Sequence, residues 1–266
     1  MQTKKKTIPE VNKPVQYGDW HGSGSLKLGR KMMLSVLFVS VLYLILSLLM
    51  SFDSLPLRII TAVILVAAAF VYLYYNGMGV GQSEAAYAEI MYQRLQEGKA
   101  LSDEDMQRCY HPLKGFFASM IGALPFVLIA LVFAVLAKPT SYALGVLPNW
   151  MTAFTRQSGI GDALAFYQNR EGITFLAILR VVVRSMTMPF INVAVKLGAD
   201  ATLWAERLSP LWVLIAPLGY GFGYRQGLKI RAKINTGIVI GDQRKKRRER
   251  KERRARSRSN APERLI

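Results

Sequence analysis

An uncharged apolar run of about 20 residues is long enough to cross a bilayer, and few soluble folds can bury one. Residues 32–51 (MMLSVLFVSVLYLILSLLMS) form such a run. Residues 59–75 (IITAVILVAAAFVYLYY) form a slightly shorter second one, which the uncharged residues 76–81 extend. Tyr72, Tyr74 and Tyr75 at its end suit a membrane–water interface. Residues 115–137 form a third, with Pro125 expected to kink it. Residues 208–224 form a fourth, diluted by Pro210, Pro217 and three glycines. The implied fold class is an all-α integral membrane protein, a polytopic helical bundle. Only helices and closed barrels satisfy their backbone groups in lipid.

Residues 173–197 (ITFLAILRVVVRSMTMPFINVAVKL) are long enough to span but contain Arg180, Arg184, Lys196 and Pro189. In a helix, Arg180 and Arg184 share one face. A charge at mid-membrane costs about 3 kcal/mol on insertion scales, so two are tolerated only with partners or near headgroups. No carboxylate lies inside the four clear runs, while Asp53, Asp162, Asp200 and Glu206 fall in loops or at span ends. That absence argues against a carboxylate proton relay.

Charge sets the expected orientation. The net charge is +18, but residues 1–224 carry only +6 of it and residues 225–266 carry +12. Residues 1–31 add seven basic side chains (Lys4, Lys5, Lys6, Lys13, Lys27, Arg30 and Lys31). The first run follows about thirty hydrophilic residues and no A-x-A cleavage site, which reads as a retained helix rather than a signal peptide. The positive-inside rule then places both ends in the cytoplasm and requires an even number of spans. Four spans plus a partly inserted helix at 173–197 satisfy it. Six would need 142–154 to insert as well, and five would put one basic end outside. The expected organisation is a cytoplasmic segment 1–31, a membrane domain 32–226 and a basic cytoplasmic tail 227–266. The setting is a plasma (inner) membrane, read as bacterial.

Residues 82–114 are polar and read as a cytoplasmic helical hairpin. Residues 83–97 place Tyr87, Ile90, Met91 and Leu95 at helical spacing, with Ser83 as N-cap and Gly98 as stop. Ser102 and Asp105 mark a capping start for a second short helix before Pro112. The hairpin is a connector on the membrane face or a docking point for a soluble partner.

The tail holds the sharpest compositional signal. Residues 244–258 contain 11 basic side chains: Arg244, Lys245, Lys246, Arg247, Arg248, Arg250, Lys251, Arg253, Arg254, Arg256 and Arg258. No aromatic residue interleaves them, so base stacking is not expected. Three roles fit: a solvated topological anchor, contact with anionic lipid headgroups, or contact with RNA phosphates.

Other motifs carry less. A single cysteine, Cys109, excludes an internal disulfide, and His21 and His111 are 90 residues apart. Cys109 and His111 are two apart, which suits joint chemistry only in an extended segment. His21 lies in a glycine-rich stretch that reads as a linker. Gly77-x-Gly-x-Gly81 follows an apolar run rather than a strand, so no dinucleotide fold is indicated. Gly219-x-x-x-Gly223 fits close helix contact better than an ion filter.

These features favour a non-enzymatic subunit or accessory factor of a membrane assembly for export, insertion or transport. Its tail would contact anionic lipid or RNA, with protein partners and without a cofactor. Two alternatives stand beside it. One is a small-solute transporter with an anion site at Arg180 and Arg184. The other is a membrane enzyme acting on lipid.

Overall fold

The structure, a computed structural model, describes residues 12–50, 52–138, 149–161, 164 and 174–259. Every regular element among the described residues is helical. The helices are α1 (Ser23–Leu49), α2 (Leu55–Gln96), α3 (Asp103–Arg108), α4 (Lys114–Leu136), α5 (Phe175–Leu197), α6 (Ala199–Arg207) and α7 (Ser209–Ser259). A 3-10 helix at Asn149–Arg156 lies between α4 and α5. Four of the helices, α1, α2, α4 and α5, are long and apolar enough to cross a membrane.

Their apolar residues divide by size. Leu34, Leu37, Val63 and Val135 are exposed on the outside of the bundle, while Ala69, Ala118, Ala130 and Ala216 are buried. Large aliphatics outside and small residues at the helix contacts are the arrangement that helices adopt in lipid. α1 and α4 run side by side in the same direction. A Cβ on Gly29 would sit 2.6 Å from Ile121, and one on Gly122 would sit 2.7 Å from Met32. α2 and α7 run together in the opposite direction, with Gly77 against Tyr220 and Gly81 against Tyr224. The end holding Trp20, Ala88 and Tyr224 is called here the stalk end, and the other the far end.

The run 208–224 behaves differently from its hydropathy. It is the first part of α7, and it is not among the four helices apolar enough to span. Its prolines, glycines and tyrosines lower the average but let it sit at the centre. Val213, Ala216, Tyr220 and Tyr224 are buried between α2 and α4. α7 passes from Ser209, whose hydroxyl donates to Ala130 O (3.4 Å) near the far end, to Tyr224, which covers Gly115 at the stalk end.

α5 enters and leaves the bundle at one end. Near its start, Arg180 Nη2 donates to Lys138 O (2.6 Å), just past the far end of α4. Near its finish, Asn192 Nδ2 donates to Ser47 O (2.8 Å), and Lys196 Nζ lies 3.7 Å from Asp53. Both partners sit at the far end, by the turn between α1 and α2. The bend falls at Thr187 (φ −119°, ψ 15°), two residues before Pro189. Pro189 has no N–H to give, and its ring presses on the carbonyl one turn back. Met186, beside the bend, belongs to the same buried apolar cluster as Val36, Val39 and Tyr43 of α1. For the six-span alternative, residues 142–148 lie outside the described residues, and Asn149–Arg156 is the short 3-10 helix.

The expected hairpin at 82–114 is corrected. Its first arm is not a separate helix: α2 continues without a break from Leu55 to Gln96, and Ser83 is internal rather than an N-cap. Its hydroxyl donates back to Val80 O (2.8 Å). Helical hydrogen bonds are local, so the helix carries on where the apolar run stops. The expected stop holds. Gly98 has φ 77°, and Lys99 N donates to Arg94 O (3.1 Å) to close the helix. The expected capping box also forms, with Ser102 Oγ accepting from Asp105 N (3.2 Å) and Asp105 Oδ2 from Ser102 N (3.3 Å).

The stretch around His21 is a strap rather than a linker. Gln16 N donates to Ala88 O (3.2 Å), Gly18 N to Tyr110 O (3.1 Å) and Asp19 N to Met106 O (3.3 Å). A Cβ on Gly18 would lie 2.2 Å from Met106 O, so only glycine lets the strap lie this close. Beneath it Cys109 is fully covered, and burial pushes its thiol up to about 11. Only the thiolate alkylates, so maleimide labelling of the folded protein at mildly alkaline pH is expected about a hundredfold slower than after unfolding. Equal rates would show that the strap does not cover Cys109.

Candidate functional site

Arg180 and Arg184, the expected anion site, do come together, but around a carboxylate. Glu206, at the end of α6, folds back under them with 2% of its side chain exposed. Arg184 Nη2 lies 2.5 Å and its Nε 2.7 Å from Glu206 Oε1, and Arg180 Nε lies 3.4 Å from the same oxygen. Arg180 also rests its guanidinium 5.7 Å from the centre of the Phe133 ring. Two guanidinium groups sharing one carboxylate leave a single net positive charge. A tight turn makes the contact: Gly198, at φ 119°, turns the chain from α5 into the short helix α6. Sequence reasoning places Glu206 in a loop or at a span end and misses the pairing. The residues are 26 and 22 positions apart, beyond any helical spacing.

The stalk end holds two further polar clusters. Lys114, at the start of α4, has no exposed surface. Its Nζ donates to Gln107 O (2.7 Å) and pairs with Glu84 Oε2 (2.8 Å). The Tyr224 hydroxyl donates to the same Glu84 oxygen. The Tyr224 ring stacks on Tyr110 at 5.2 Å and 6°. One turn further along α2, Glu89 accepts from Arg231 Nε (3.1 Å) and Nη2 (2.9 Å) and from Asn235 Nδ2 (2.6 Å). Both clusters fasten α2 to α7 beyond the apolar part of the bundle. The two helices thus form a stalk in which the half-buried Glu84 and the buried Glu89 each hold a cation. His111 is used locally, its Nδ1 accepting the Leu113 N–H (3.2 Å), and does not meet Cys109 in a shared site.

Beyond the stalk α7 continues alone. α2 ends at Gln96, roughly level with Asp242 by the Glu89–Asn235 register. From Gly241 to Arg254 every α7 residue is exposed. Arg244, Lys245, Lys246, Arg247, Arg248, Arg250, Lys251, Arg253 and Arg254 therefore project as one basic helical arm, and the helix runs on past Arg256 and Arg258 to Ser259. Among the described residues, no ion pair involves these nine side chains. Lone acids Glu249 and Glu252 sit three apart, on one face. Arg184, Lys114 and Arg231 are each paired with a carboxylate inside the protein, whereas this stretch of the arm carries nine cations with no such pairing among the described residues.

An apolar groove of about 590 Å³ lies between α2, the second half of α5, α6 and α7, lined by Val63, Phe70, Phe190, Ala205 and Trp212 among others. It offers an apolar chain a surface and no ionisable group. Comparison with protein-family models, with curated proteins and with solved structures gives no match.

Proposed function

We propose that the protein is a non-enzymatic multi-pass membrane subunit that holds a stiff basic arm on one side of the bilayer, within a larger assembly for export, insertion or transport. The observation that carries this reading is the continuity of α7. One helix begins at the centre of the bundle, is clamped to α2 along the stalk and ends as the basic arm. A purely topological anchor needs basic residues near the membrane but needs no stalk to stiffen them.

In this reading α1, α2, α4 and α7 cross the membrane, and α5 dips in from the far side. The count is even, so both termini share the stalk side, which the excess of Lys and Arg assigns to the cytoplasm of a bacterial plasma membrane. Glu206 favours this reading over an anion transporter, because it already occupies the position an anionic substrate would take between Arg180 and Arg184.

The test is purification of the full chain in mild detergent, beside a form ending at Ile240. The full chain is expected to migrate with other chains in a defined complex. The shortened form should remain membrane-inserted yet lose at least one partner. A full chain that runs as a lone monomer sinks the subunit reading.

A further inference from the structure

We infer that the basic arm binds folded RNA in the aqueous phase, rather than the headgroups of the membrane that holds it. This rests on reading the arm as a binding element and names its partner. Reach and the distribution of charge decide between the two.

Reach comes first. Tyr224 is the last α7 residue packed on both Gly81 and Gly115, and Arg225 is the first charged residue beyond it. At about 1.5 Å per residue, Arg244 stands about 28 Å further out and Arg258 about 50 Å. A tilt of about 20° shortens these distances by only about 6%. Screening cuts headgroup attraction within a Debye length of about 8 Å at physiological salt, so the arm lies several lengths away. The stalk enforces this, since Glu84 and Glu89 hold α7 upright for the first turns.

Charge distribution points the same way. At about 100° per residue, the basic side chains from Arg244 to Arg254 go most of the way round the helix. Only the strip with Glu249 and Glu252 is acidic. A flat anionic surface meets one side of a helix and leaves the opposite charges idle. A regular RNA duplex keeps its major groove too narrow for a helix, but a groove opened by a bulge, or a fold in a longer RNA, presents phosphates on two walls and leaves one side open for the acidic strip. The arm also favours arginine, with eight Arg to three Lys between 244 and 258. The planar guanidinium fits phosphate oxygens two at a time, which a lysine ammonium does not.

The experiment uses the full chain in phosphatidylcholine nanodiscs, with a fluorescein-labelled RNA hairpin and heparin as separate probes. The hairpin is expected to bind with an affinity that falls steeply with salt, a log–log slope near −5 for about six or seven neutralised phosphates. Replacing Arg247, Arg248, Arg250, Arg253 and Arg254 by Gln should weaken binding at least about tenfold and flatten that slope. Heparin binding without hairpin binding keeps the arm as a polyanion site and overturns the RNA assignment. Failure of both probes overturns the arm as a binding element.

Headgroup contact is tested in parallel. A bimane label carried by Arg250→Cys in a Cys109→Ser background should emit alike in phosphatidylcholine and phosphatidylglycerol nanodiscs. A blue shift confined to phosphatidylglycerol would mean that the arm folds back onto lipid and would overturn the inference. Gly237 and Gly241 are the open positions at which such a bend would occur, since a Cβ at either meets nothing within 4 Å. Stiffening them with Gly237→Ala and Gly241→Ala should leave hairpin binding intact. Loss of binding in that stiffened form counts against the projecting arm.

Discussion

Replacing Gly223 with alanine is expected to prise α7 from α2 and cost about 3 kcal/mol of stability, near the top of the range for overpacking a tight contact. A Cβ there would lie 1.9 Å from Tyr74 O, and the obstacle is backbone rather than a side chain that could swing away. The contact is reciprocal. Gly77 and Gly81 would meet Tyr220 O and Tyr224 O at 2.2 Å each, so the two helices approach over three turns with nothing but hydrogen between them. One methyl must shift the whole pair, and the stalk clusters built on the same register shift with it. Gly79 is the control, because it lies on α2 between Gly77 and Gly81 with nothing within 4 Å of its Cβ direction. Gly79→Ala should be neutral or gain up to about 1 kcal/mol from helix propensity alone. The measurement is denaturant unfolding in mixed micelles, followed by far-UV circular dichroism. Equal stability of the two variants would remove the glycine contact as the basis of the fold.

Glu206→Gln is the second large effect, expected at about 3 kcal/mol. The substitution keeps the size of the side chain and deletes the one carboxylate shared by Arg180 and Arg184. Two guanidinium groups then face each other with no counter-charge. The side chains are 17% and 31% exposed, so water takes up part of the cost, and the figure is placed at the low end for a broken buried pair. The unpaired arginines should also free α6, seen as faster proteolysis near Ala199–Arg207. Replacing all three residues by Leu should recover most of the stability, because an apolar triad needs no partner. If Glu206→Gln unfolds no more easily than the parent, the cluster is not holding the far end. If instead it gains affinity for small anions at unchanged stability, the two arginines form a binding site and the structural role is wrong.

Much of this protein is legible along the chain. The uncharged runs at 32–51, 59–75 and 115–137 became α1, part of α2 and α4, because crossing length and hydropathy are local sums. Gly98 and the Ser102–Asp105 box closed and opened helices as expected, since caps act within four residues. Gly219-x-x-x-Gly223 marks a helix contact, lying against Phe70 and Tyr74, while Gly77 and Gly81, which the sequence offers only as a weak nucleotide-type pattern, extend the same seam against Tyr220 and Tyr224. The run 208–224 shows the limit of averaging. It looks like a weak span for the same reason that it packs at the centre, as glycines and tyrosines lower hydropathy while allowing close approach on two sides.

What the sequence alone determined is therefore the class of the molecule and the address of its charge: apolar helices, and a basic stretch at 244–258. Only the tertiary structure decided which charges are free. Arg180 and Arg184 acquired Glu206, Lys114 acquired Glu84, and Arg231 acquired Glu89, over separations of 22 to 142 residues. Tertiary packing likewise turned the expected hairpin into half of a stalk and bent α5 at Thr187. Hydropathy and capping depend on neighbours along the chain. Charge pairing depends on where distant helices meet, so it waits on the packing of the bundle. The arm from Gly241 to Arg254 stands clear of that packing, and its charge stays as the sequence wrote it.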